Sequence, residues 1–110
     1  MDDELSRPVA KAYVVNQVEV RDAVRYAEYA ALGRAAILNH GGRILAAGGA
    51  VETLEGDPLP ARVVIVEFPS REAALAYYHS PEYQAARAVR GVAATVRFAV
   101  VDGVPEPLLT

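Results

Sequence analysis

A β-α-β-β-α-β succession of periodic segments, with two helical stretches for four strands and apolar residues on both faces of the strands, predicts an α+β domain of the ferredoxin-like kind. Two helices cover only one face of a four-stranded antiparallel sheet. The Val-rich runs at 63–66 and 96–101 therefore predict that the other face is covered by a second copy, closing a dimeric α/β barrel. A chain of 110 residues holds one core. Residues 11–104 are read as the single domain, 1–10 as a flexible leader and 105–110 as a C-terminal tail.

The first strand is AYVVNQVEV, Ala12 to Val20, rich in β-branched residues with Asn16 and Gln17 at its middle. Asp22 offers an N-cap carboxylate to a long helix, whose apolar residues at Val24, Ala27, Ala31, Ala35 and Leu38 have helical spacing. Gly41 and Gly42 should end that helix. The segment RILAAGGAVETL reads as a second strand, kinked where Gly48 and Gly49 interrupt it. After the turn chemistry of EGDPLP comes ARVVIVEF, the strongest strand signal in the chain. Ser70 caps the next helix, and Ser80 with Pro81 breaks it and restarts a short helix to about Ala88. Gly91 ends this helix, and TVRFAVVDG is the last strand.

Composition removes whole classes of function. The 11 basic residues are outnumbered by 14 acidic ones, for a net charge of −3, and the arginines are scattered, so no basic stripe for nucleic acid is present. The same balance disfavours an anionic membrane surface, and no apolar run approaches the roughly 20 residues of a membrane span. MDDELSRP begins acidic where a signal peptide begins basic, which points to a cytoplasmic protein. The absence of cysteine excludes disulfides and a thiol nucleophile. A hydrophobic fraction of 53%, mostly Ala and Val, favours self-association.

Five phrases taken together are distinctive: AYVV from Ala12, YAEY from Tyr26, GGRILAAGG from Gly41, RVVIVEFPS from Arg62 and YYHSPEYQAAR from Tyr77. In them the chain resembles the bacterial domain of unknown function 1330 family, from Lys11 to Gly103. The resemblance implies the dimeric α/β-barrel superfamily, whose other branches include cofactor-free monooxygenases, lactone isomerases and haem peroxidases. It brings no catalytic residues with it. Ala47 stands where relatives often carry a basic residue.

Chemistry-bearing side chains are few. His40 and His79 sit at helix C-termini without a second ligand at metal spacing, so no metal site is expected. Tyr26, Tyr29, Tyr77, Tyr78 and Tyr83 lie on helices that pack on the sheet, where they serve either as filling or as hydroxyls reaching into a cleft. Arg43, Arg62, Glu52 and Glu67 gather near strand ends, either as exposed ion pairs or as site residues. Asn16 and Gln17 alternate to opposite faces, and a buried amide there must find a partner.

Two functional readings follow from these residues. The first is a small-molecule pocket between the first helix and the sheet, with Asn16, Tyr26, Arg43 and Tyr83 binding ligand and Glu67 or His79 as a base, for cofactor-free isomerisation or oxidation of a small acidic or aromatic substrate. The second is a non-catalytic binding protein. No cofactor is expected in either, and the expected partners are a second copy of the chain and a small organic ligand.

Overall fold

The computed structural model describes Ala10–Pro105; the expected leader and tail lie almost wholly outside the described residues. Seven elements follow one another: β1 Ala12–Val20, α1 Ala23–Asn39, β2 Arg43–Ala47, β3 Arg62–Phe68, α2 Arg71–His79, α3 Pro81–Arg90 and β4 Ala94–Asp102. The strands form one antiparallel sheet in the order β2-β3-β1-β4, the ferredoxin-like arrangement that the sequence predicts. No helix among the described residues is long and apolar enough to cross a membrane.

Register decides which residues share a face. Val14 pairs with Val66 on one side and Val100 on the other, so Ala12, Val14, Asn16 and Val18 lie on the same face as Val64, Val66, Phe68, Val96 and Phe98. That face carries the helices, and Ala12, Val14 and Phe68 are fully shielded there. Tyr13, Val15, Gln17, Ile65, Glu67, Arg97 and Val101 alternate to the opposite, open face.

Capping follows the local sequence. The Asp22 carboxylate accepts from the Arg25 amide at 3.1 Å. At the far end of α1 the Gly42 amide donates to Ile37 O at 2.9 Å and the Gly41 amide to Leu38 O at 3.3 Å, a closure that needs the positive φ of 78° at Gly41. Ser80 works in both directions. Its hydroxyl donates to Tyr77 O at 2.7 Å to close α2 and accepts from the Tyr83 amide at 3.1 Å to open α3. The third helix runs to Arg90, two residues beyond the expected end.

Two expectations are corrected. The α1 stripe of Val24, Ala27, Ala31, Ala35 and Leu38 faces outward, and the buried residues are Tyr26, Tyr29, Gly33, Ala36 and Ile37. Both stripes have helical spacing, but the tyrosines remove far more apolar area from water than alanines do, and alanine is equally at home on a helix surface. The second strand ends at Ala47 and does not resume after the glycines. Gly48 has φ 77°, and a Cβ there would lie 2.5 Å from Arg62 Nη1, so the chain turns away over the guanidinium. The strand's irregularity falls earlier, as a bulge between Ile44 and Ala46.

Candidate functional site

The helices pack on the sheet through aromatic rings. Tyr77 stacks on Phe68 at 5.2 Å and lies 5.0 Å from Tyr83, which in turn lies 5.5 Å from Phe98. Tyr83 is wholly buried. Toward β2 and β3 this packing gives way to a cleft between α1 and the sheet, lined by Asn16, Tyr26, Tyr29, Gly33, Arg34, Ile44, Arg62 and Val64, with a free volume of about 50 Å3.

Helical spacing puts Tyr26, Tyr29 and Gly33 on the cleft side of α1, and strand alternation brings Asn16 from β1 and Arg62 from β3 to meet them. Arg62 Nε donates to the Tyr26 hydroxyl at 2.9 Å, with its guanidinium carbon 5.1 Å from the Tyr26 ring centroid. Behind the cleft, the Tyr29 and Tyr83 hydroxyls are 2.9 Å apart, and Arg90 Nη1 donates to Tyr83 at 3.2 Å. The Arg90 guanidinium also covers the Tyr29 ring at 5.0 Å. Burial pushes the Tyr29, Tyr77 and Tyr83 hydroxyls above the usual tyrosine range.

Two buried polar atoms in this region are unmatched among the described residues, Arg90 Nε behind the cleft and Asn16 Oδ1. Asn16 is 6% exposed, and its Oδ1 is buried with no hydrogen-bond partner among the described residues. A neutral acceptor left so costs on the order of 1–3 kcal/mol. Asn16 itself is among the residues that line the cleft.

The predicted site residues are distributed over three places. Asn16 and Tyr26 meet in the cleft, and Tyr83 lies one ring behind it, joined through the Tyr29 hydroxyl. Glu67 and Arg43 are paired in register on the open face. There the Tyr13 hydroxyl donates to Glu67 Oε2 at 3.0 Å, and Lys11 Nζ lies 3.9 Å away. Parity is the reason: Glu67 is an odd number of residues from Val64 and Val66, whose side chains point under the helices. His79 is exposed at the end of α2, its ring 5.2 Å from Tyr78. Neither base candidate therefore reaches the cleft. His40 keeps to its helix end, with Nδ1 2.9 Å from Ala36 O.

Gly33 and Arg34 were not singled out from sequence, and Tyr29 and Arg62 stood there only as alternatives between a structural and a site role. The signals were available: Arg62 shares the parity of Val64, Tyr29 follows Tyr26 by three, and Gly33 is a costly residue at mid-helix. Among the described residues, no group of three or more His, Asp or Glu side chains is placed to hold a metal ion.

Solved structures establish the fold class. A protein of unknown function from Rhodopseudomonas palustris superposes with a TM-score of 0.69 at 22% identity, covering 97% of this chain and 89% of its own, and its methylated form gives 0.71 at 21%, covering 96% and 89%. SnoaB, a cofactor-independent oxygenase from Streptomyces nogalater, superposes with 0.63 at 12% identity, covering 91% and 99%. The search of curated proteins found none that matches. The family model described as a domain of unknown function, DUF1330, matches residues 11–104, and the chain belongs to that family.

Proposed function

We propose that the protein binds a small organic molecule in the cleft between α1 and the sheet, and that it does so as a homodimer joined through the open sheet face. The observation that carries the first part is the buried, unmatched Oδ1 of Asn16. An apolar side chain of similar size would fill this position at lower cost, so an amide retained here is best understood as a ligand contact. Its neighbours Tyr26 and Arg62 add a hydroxyl and a half-buried cation to the same small space.

Binding is favoured over proton-transfer catalysis because the residues lining the cleft include no carboxylate and no imidazole. Cofactor-independent oxygenation or isomerisation is the second reading, favoured by the fold shared with the Streptomyces nogalater oxygenase. The dimer is supported by the open face, where Val15, Val63 and Ile65 are only partly covered and Val101 is 51% exposed.

Replacement of Asn16 by leucine tests the site. With the orphaned acceptor removed, thermal denaturation is expected to show a higher midpoint, by the equivalent of about 1 kcal/mol or more, while ligand binding is lost. A lower midpoint would mean that the amide is structural, and the cleft reading would fail.

A further inference from the structure

Resting on that reading, we infer that the cleft takes a small hydroxy acid: an organic anion of a few heavy atoms with a hydroxyl beside its carboxylate. The charged residues lining the cleft are Arg34 and Arg62, with no acidic residue among its lining. Neither arginine is in ion-pair contact with a carboxylate of a described residue. Arg62 is half-buried, and its Nε is committed to the Tyr26 hydroxyl, which leaves the terminal nitrogens to pair with an incoming carboxylate. The Tyr26 ring and hydroxyl orient the guanidinium, and Gly48 leaves room for Nη1 where a Cβ would crowd it.

The hydroxyl requirement comes from Asn16. Its Oδ1 accepts and cannot donate, so a bare carboxylate would repel it, whereas an adjacent O–H satisfies it. Size narrows the class further. A volume of about 50 Å3, against the roughly 150 Å3 of an enclosed cavity that accepts benzene, favours an anion of a few heavy atoms over an aromatic acid.

The test is an NMR titration of the isotope-labelled full-length chain with glycolate, acetate and glycolamide, following the Asn16 side-chain amide and the Arg62 Nε–H. Glycolate is expected to shift both signals and to bind at least roughly tenfold more tightly than acetate, which lacks the hydroxyl, or glycolamide, which lacks the charge. Gly33→Leu, placed where a Cβ meets nothing within 4 Å, should block glycolate while the amide spectrum stays folded. Glycolamide binding as tightly as glycolate would overturn the anion, and acetate doing so would overturn the hydroxyl, each leaving the cleft itself intact. If none of the three shifts the Asn16 signals, or if Gly33→Leu leaves glycolate binding unchanged in a folded protein, the cleft reading falls and this inference with it.

Discussion

The helix face of the sheet carries more valines than the open face, and the two handle their polar groups in opposite ways. On the open face, Glu67 is met by the Tyr13 hydroxyl and stands near Lys11, so its charge is served by neighbours on the sheet itself. On the helix face, Asn16 lies buried beneath α1 with an acceptor that no described residue meets. The more ionisable group is thus the quieter one. Chemical potential to bind comes from an unmet need in a dry place, and a carboxylate with a hydroxyl donor and a half-solvated surround has none.

The largest break in this comparison is expected from Phe68, fully buried on the helix face and stacked on Tyr77. Phe68→Ala should cost about 3–5 kcal/mol in urea denaturation, because ring contacts are lost and a cavity opens. A cost below about 1 kcal/mol would show that the helix face is not the main core.

Alkaline pH should act on the same face. Burial raises the Tyr29, Tyr77 and Tyr83 hydroxyls above the ordinary 10, so between that value and their folded values the native protein holds more protons than the unfolded chain. Their contribution to stability is complete below about pH 10 and declines above it, by roughly 1.4 kcal/mol per pH unit for each group. Denaturant midpoints taken from about pH 9 to 11 should fall accordingly, and Tyr29→Phe should flatten the fall. A midpoint indifferent to pH across that range would contradict the buried hydroxyl pair.

The smallest effect is expected on the open face. Glu67→Gln keeps an acceptor for Tyr13 and loses only a loose pairing with a half-exposed lysine, so stability should change by less than about 1 kcal/mol. Ligand binding in the cleft should be untouched. Were Glu67 a general base, any activity found would drop roughly 100-fold or more in this variant.

Fold and site were legible to different depths. Strand boundaries at Ala12 and Val20, the caps at Asp22, Ser70 and Ser80, and the element order all rest on local chemistry, and local chemistry is what a sequence displays. The α1 face was misread because an alanine stripe and a tyrosine stripe share one period, and only packing against the sheet chooses between them. The site was half legible. Asn16 stood out as an amide in an apolar strand, and the expectation that it needs a partner led directly to the cleft. Glu67 drew attention because it follows four apolar residues, yet which way it pointed depended on a parity that the sequence leaves open until the helices are placed. Arg62 shows the same ambiguity resolved the other way: it seemed a rim charge and lies over Tyr26.

The division of labour between the faces is tested most directly by light scattering on the native chain and on Ile65→Asp, with circular dichroism on the same samples. Ile65 lies on the open face, next in sequence to the cleft residue Val64 and pointing the other way. The native protein is expected at twice the 11.7 kDa chain mass and Ile65→Asp at the mass of one chain, with its helical signal retained. A native protein that stays at the mass of a single chain at micromolar concentration would contradict the account, because the open face would then be simply a solvated surface.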